Sequence, residues 1–208
     1  MDRKVRWGIL GYAGIARNHV IPAMMKAGNA EVVAIGSRSR EKLKEAVERF
    51  GFRKVYESYD RLLEDPEIDA VYIPLPNALH KEWAIKAARH GKHVLCEKPL
   101  ALTAADCREL EAVFKENRVK LMEAFMYRFL PGIKALKGVL ESGAIGEICH
   151  IYSTHRFYLQ DDGDVRVNRE LGGGSLRDVG CYPVNLIGWL LNDYPQAVSA
   201  EKTMFQGV

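Results

Sequence analysis

Cys96-Glu97-Lys98-Pro99-Leu100-Ala101 ends an apolar run that begins at His93, and it sets a carboxylate, an amine and a proline side by side where that run stops. Read as a strand, 93–96 delivers Glu97 and Lys98 at its carboxyl end, the edge at which open α/β sheets bind ligands. The residues before it then read as a nucleotide-binding half. Those after it read as a partner that brings substrate to the lysine.

At the chain start, Val5 to Leu10 is a short apolar run that stops at Gly11, and a helical pattern begins near Ile15 with Val20, Met24 and Met25 available for an inner face. The turn, Gly8-Ile9-Leu10-Gly11-Tyr12-Ala13-Gly14-Ile15-Ala16, keeps the first glycine of G-x-G-x-x-G/A at Gly11 and a small third residue at Ala16, with Ala13 in the second position. Gly11, Tyr12, Ala13, Gly14 and Ile15 are thus candidates for a dinucleotide pyrophosphate, although an ordinary tight turn would use the same glycines. Glu31 to Ile35 reads as a second strand, and Glu41 to Phe50 as an amphipathic helix with Leu43, Ala46, Val47 and Phe50 inward and Gly51 as its stop. Where an NAD site places an acidic residue for the ribose 2′-hydroxyl, this chain has Ser37 and Arg38, a hydroxyl and a guanidinium that suit a 2′-phosphate. NADP is the expected cofactor; the alternative is that Arg38 and Arg40 merely open a solvated helix.

Val55-Tyr56 reads as a weak third strand, Tyr59 to Leu63 as a short helix and Asp69 to Pro74 as a fourth, strongly apolar strand. Pro74, Leu75 and Asn77, on a rigid loop at the same carboxyl edge, join Glu97 and Lys98 as cofactor candidates. A helix follows from His80 to His90, closed by Gly91, and His80 at its start is either a phosphate contact or a surface residue. A helix capped by Thr103 runs to Asn117, and Val119 to Ala124 is a sixth strand. Strands alternating this regularly with helices predict a doubly wound parallel sheet, an α/β Rossmann domain over 1–124.

From 125 the rhythm changes. Ile133 to Ser142 reads as a helix, and Glu147 to Tyr158 and Ala197 to Phe205 as strands, which predicts an α+β domain with a largely antiparallel sheet over 125–208. Asp161-Asp162-Gly163-Asp164 lacks the later glutamate of a calcium loop and reads as a solvated turn. His150 and His155 fall on opposite faces of a strand, so no metal site is expected. Gly172-Gly173-Gly174 precedes Asp178 and Tyr182, four residues apart on one helical face, with Gly180 and Pro183 locally unfavourable between and after them; an ordinary first helical turn would read the same way.

Composition narrows the class. The chain has 208 residues, 48% of them hydrophobic, and Lys plus Arg exceed Asp plus Glu by only 30 to 27, a net charge of +3 that is too small and dispersed for a nucleic-acid surface. Cys96, Cys107, Cys149 and Cys181 are widely spaced, with no C-x-x-C pair, so a reducing cytoplasm is the expected setting. No membrane span or signal-peptide core is expected.

Taken together, Glu97-Lys98-Pro99, the Gly172-Gly173-Gly174…Asp178-x-Gly180-x-Tyr182 block and Met122-Glu123-Ala124-Phe125-Met126-Tyr127-Arg128-Phe129 resemble the Gfo/Idh/MocA family of oxidoreductases over essentially the whole chain. The resemblance implies a Rossmann domain followed by a substrate domain with an antiparallel sheet. Tyrosine at 182, where the inositol-dehydrogenase branch has histidine, is similar to the dihydrodiol, xylose and glucose-fructose branch, and Ser37-Arg38 fits its preference for NADP. Arg166 matches an arginine that lies near cofactor or substrate in relatives. The implied catalytic residues are Lys98, Asp178 and Tyr182. Tyr182 would take or give the hydroxyl proton of a sugar or diol-like substrate, Lys98 would supply the cation a phenol of ordinary pKa about 10 needs, and Asp178 would orient Lys98 or bond the substrate. A non-catalytic NADP-binding regulator of the same fold is the rival, though a sensor would need no proton relay. Members of the family usually run longer, so the second domain is expected to be truncated here, with an apolar sheet edge through which copies would associate.

Overall fold

A continuous run of apolar residues forms a strand only if both faces of its sheet are covered. Ala70–Ile73 meets that condition, with all four residues buried. A computed structural model of the chain describes residues 3–160, 163–204 and 208. Six parallel strands, Val5–Leu10 (β1), Ala30–Gly36 (β2), Lys54–Tyr56 (β3), Ala70–Ile73 (β4), His93–Cys96 (β5) and Leu121–Glu123 (β6), lie in the order β3-β2-β1-β4-β5-β6. That order reverses direction between β1 and β4, the point at which doubly wound sheets bind dinucleotides.

A helical run starts at Gly14, passes through a π turn at Ala16–Val20 and becomes α1, Ile21–Lys26. Helices α2 (Arg40–Phe50), α3 (Tyr59–Leu63), α4 (His80–Arg89) and α5 (Ala104–Glu116) complete the layers. Ile9, Ile35 and Tyr72 pack with Ile21 of α1 and Leu43 and Ala46 of α2 on one face. On the other, Leu10, Val71, Ile73, Val94 and Cys96 pack with Leu62 of α3, Ala84 and Ala88 of α4, and Leu110 and Phe114 of α5. Ser39, Ser58 and Thr103 cap α2, α3 and α5 by accepting the backbone N–H of Lys42, Arg61 and Asp106, and Gly51 ends α2 at φ +67°. Two inward assignments do not hold. Met25 and Val47 are exposed because the inner stripe of each helix is already filled, by Ile21 with Val20 and Met24, and by Leu43 and Ala46.

The chain divides into two units, Met1–Ala124 and Phe125–Val208. In the second, α6 is Pro131–Glu141, and a π turn over Leu176–Gly180 leads into α7, Cys181–Leu191. Among the described residues no strand forms over 147–158 or 197–204. Alternating side chains make a strand only when a neighbouring segment supplies a hydrogen-bond ladder, and no described segment does so here. Asp161, Asp162 and Phe205 lie outside the described residues. Among the described residues no helix is long and apolar enough to cross a membrane.

The amino edge of the Rossmann sheet carries its main ion pairs. Hydrogen bonds from Arg6 bring Asp69 down from an ordinary 3.8 to about 2. Burial would raise Asp65, but bonds from Lys54, the Glu67 backbone and Tyr56 outweigh it and hold it at about 2 as well. Burial also pushes His80 below its ordinary 6.5. All three depressed values have the same sign, because the unfolded chain binds the proton first as pH falls. Melting temperature should therefore decline from pH 6.5 downward through His80 and more steeply below 3.8 through the two aspartates. A flat profile down to 3.8 in a pH series of thermal melts would rule out the histidine contribution.

Candidate functional site

The β1 turn is built around Gly11, at φ +108°, where a Cβ would sit 2.9 Å from Leu75 Cδ2 and 3.6 Å from the Tyr59 hydroxyl. Only glycine fits this conformation and this approach. Ala16 is fully buried, and the helix therefore lies close against the sheet. Gly14 is exposed with nothing within 4 Å of its Cβ position, leaving the start of the helical run open to an anion. Ala13 and Ile15 flank it, half-buried and exposed. Tyr12 turns its side chain away: it is buried edge-on to Phe50 with its hydroxyl 3.3 Å from Glu45, so only its backbone belongs to the turn.

At the end of β2, Ser37 is buried, and its hydroxyl accepts the Ser39 N–H at 3.2 Å. Arg38 is exposed and reaches the Tyr59 hydroxyl, whose pKa burial raises and Arg38 lowers. Arg40 is held by Glu57 at 2.9 Å. Tyr59, which the sequence reading did not single out, is a further candidate: it stands beside both Gly11 and Arg38, edge-on to Trp83 at 4.9 Å. Its signal was an aromatic at a helix start directly after β3. Gly11, Gly14, Arg38 and Tyr59 present an open helix start, a close backbone approach and a guanidinium, which fits a dinucleotide carrying a 2′-phosphate.

At the switch point Pro74 is buried, Leu75 packs on Gly11, and Asn77 opens a short 3-10 turn. His80 is neither surface nor open to a phosphate. It is fully buried, with Nδ1 2.7 Å from the Pro99 carbonyl and Nε2 2.8 Å from the Leu75 carbonyl. Both ring nitrogens face main-chain carbonyls under the loop, and the neutral ring donates its one N–H to one of them. Glu97 accepts the Tyr72 hydroxyl at 2.6 Å, and Lys98 beside it is half-buried.

The second unit gathers Arg166 and Asp178. The guanidinium Nε is 3.0 Å from the Asp178 carboxylate and Nη1 is 3.1 Å from Asp164. Burial would lower the Arg166 pKa, but the two carboxylates raise it. Gly174 N–H donates to the Arg166 carbonyl and Gly173 N–H to that of Asn168. A Cβ on Gly173 would lie 2.5 Å from the Arg166 oxygen. Gly173→Ala should thus cost about 1–3 kcal/mol, read as a lowered urea midpoint of the second unit, and an unchanged midpoint would show that the loop relaxes freely. Tyr182 directs its hydroxyl to Met126 Sδ at 3.8 Å, with its ring 5.6 Å from Phe125 and 5.0 Å from His155. The π turn that precedes it is a form concentrated at functional sites. Among the described residues no group of three or more His, Cys, Asp or Glu could hold a metal.

Residues 5–125 match the model of the Gfo/Idh/MocA oxidoreductase family, NAD-binding Rossmann fold, and residues 133–207 match the GFO/IDH/MocA C-terminal domain. The chain belongs to this family. It is 43% identical over 86% of its length to D-xylose 1-dehydrogenase (NADP(+)) 2 of Haloferax volcanii, covering 55% of that protein. It is 35% identical over 94% of its length to trans-1,2-dihydrobenzene-1,2-diol dehydrogenase of Xenopus tropicalis, covering 60% of it. The crystal structure of KijD10, a 3-ketoreductase from Actinomadura kijaniata in complex with NADP and TDP-benzene, superimposes with a TM-score of 0.82 at 39% identity, over 91% of this chain and 58% of that one. The chain thus spans 55–60% of the length of these relatives.

Proposed function

We propose that the protein is an NADP-dependent dehydrogenase or reductase acting on a CH–OH or carbonyl carbon of a sugar or diol-like substrate. The observation that carries this reading is Lys98 at the carboxyl end of β5, in a family whose matched members include sugar and diol dehydrogenases. When bound, the cofactor supplies hydride chemistry. The chain's own residues do the rest. The open helix start at Gly14 and the close approach at Gly11 receive the pyrophosphate, with Ala13, Ile15 and the Tyr12 backbone around it. Arg38, with Tyr59 beside it and the Ser37 loop behind it, meets the 2′-phosphate. Pro74, Leu75, Asn77 and Glu97 border the nicotinamide side, and His80 acts beneath them. Tyr182 gives or takes the substrate hydroxyl proton, Lys98 stabilises the phenolate form, and Asp178, paired with Arg166, orients lysine or substrate.

The same reading carries a largely antiparallel sheet in the second domain and association of copies through it, supported by the alternation over 147–158 and the exposed Tyr152, Tyr158 and Val198. It also carries a cytoplasmic setting, supported by the wide cysteine spacing. A regulator of the same fold would bind NADP through Arg38 and turn nothing over. The two are told apart by following nicotinamide absorbance with NADP and NAD against D-xylose, other aldoses and trans-1,2-dihydrobenzene-1,2-diol. Turnover with NADP supports the enzyme, and tight NADP binding without turnover of any probe overturns it.

A further inference from the structure

The loop that carries Lys98 is held by side chains from elements other than its own strand. Glu97 N–H donates to the Ile73 carbonyl at 3.1 Å, and the Glu97 carboxylate accepts the Tyr72 hydroxyl from β4 at 2.6 Å. The Pro99 carbonyl faces His80 Nδ1 from α4 at 2.7 Å, and Leu100 N–H donates to Glu123 Oε1 from β6 at 2.8 Å. Lys98 lies between these anchored positions. His80 and Tyr72 are completely buried. Leucine and phenylalanine would fill the same space without the desolvation cost that a buried polar group carries. What the polar atoms add is direction, since each fixes one backbone or carboxylate atom of the loop. His80 Nε2 also lies 2.8 Å from the Leu75 carbonyl, in the segment that packs on Gly11, and the neutral ring, with its single N–H, donates to one of these two carbonyls and packs against the other.

We propose that His80, Tyr72 and Glu123 are positioning residues that hold the 97–100 loop and so aim the Lys98 ammonium. The proposal rests on the reading of Lys98 as the working cation and adds how that cation is placed. A misplacement of about 1 Å can cost around 100-fold in rate, so such a frame matters to a proton relay even though none of its members touches substrate.

The test is competitive labelling of the folded protein with trace acetic anhydride, in which acetylation of Lys98 is measured by peptide mass spectrometry relative to Lys44 on α2. Lys44 is exposed, and its ammonium pairs only loosely with Glu48 on its own helix. In Tyr72→Phe and His80→Leu the Lys98-to-Lys44 ratio should rise roughly 2- to 10-fold, the factor one lost hydrogen bond sets on a local opening equilibrium. His80→Gln, which keeps an amide donor for one carbonyl, should fall between wild type and His80→Leu. An unchanged ratio in folded Tyr72→Phe and His80→Gln overturns the proposal, and so does a parallel rise of every lysine, which reports general loosening. Should His80→Leu fail to fold, Tyr72→Phe decides alone. Labelling needs no substrate, so a failure of the proposed activity is distinguishable from a failure of the frame.

Discussion

Tyr182→Phe is expected to lower kcat by about 100-fold or more, the usual contribution of a positioned acid or base, while leaving NADP binding within about twofold of wild type. The substitution removes one oxygen. The ring keeps its edge contacts with Phe125 and His155, and the hydroxyl lies 3.8 Å from Met126 Sδ, a weak acceptor. Packing is therefore conserved, and any large loss reports the proton. Lys98→Ala should act at the same step, and the double mutant should be less impaired than the product of the two singles, because groups serving one proton transfer are coupled. Steady-state kinetics on the three variants measures this. Near-wild-type kcat in Tyr182→Phe with only KM raised would make the tyrosine a substrate contact and move proton transfer to Lys98 or Asp178.

Arg38→Ala should weaken NADP binding roughly 10- to 150-fold and leave NAD binding unchanged, since a charge-assisted contact to a phosphate is worth about 1.5–3 kcal/mol. Arg38 is the guanidinium at this edge that reaches Tyr59, whose hydroxyl stands beside Gly11, whereas Arg40 is taken up by Glu57. Arg40→Ala should accordingly change NADP affinity much less. Fluorescence titration of both reduced cofactors against wild type and the two variants reads the difference. Equal affinity of the wild type for the two cofactors would remove the 2′-phosphate from the account.

The Rossmann half was legible because its signals are short-range. Apolar runs mark β1, β4 and β5, Gly51 the end of α2, and the Thr103 cap the start of α5. Gly11 was readable as a turn residue, but that Leu75 from the loop after β4 and the Tyr59 hydroxyl from α3 crowd it was not, since nothing in the local pattern encodes which distant side chain fills a gap. His80 was misread for the same reason. A polar residue at a helix start looks solvated until two carbonyls, five and nineteen positions away, are found against its ring. In the second unit, alternation over 147–158 says nothing about a partner, and a strand exists only through one; none forms there among the described residues. Gly180 and Pro183 signalled an irregular helix start, and a π turn is the form it takes.

The most direct measurement follows the hydrogen itself. D-Xylose deuterated at C1, and trans-1,2-dihydrobenzene-1,2-diol deuterated at its carbinol carbons, are each incubated with NADP and the protein, and the reduced cofactor is analysed by mass spectrometry. The account predicts that reduced NADP forms carrying a single deuterium, and that it forms about 100-fold more slowly, still singly labelled, in Tyr182→Phe. Reduced cofactor without deuterium, or no reduction by either probe in a protein that still binds NADP tightly, would contradict it.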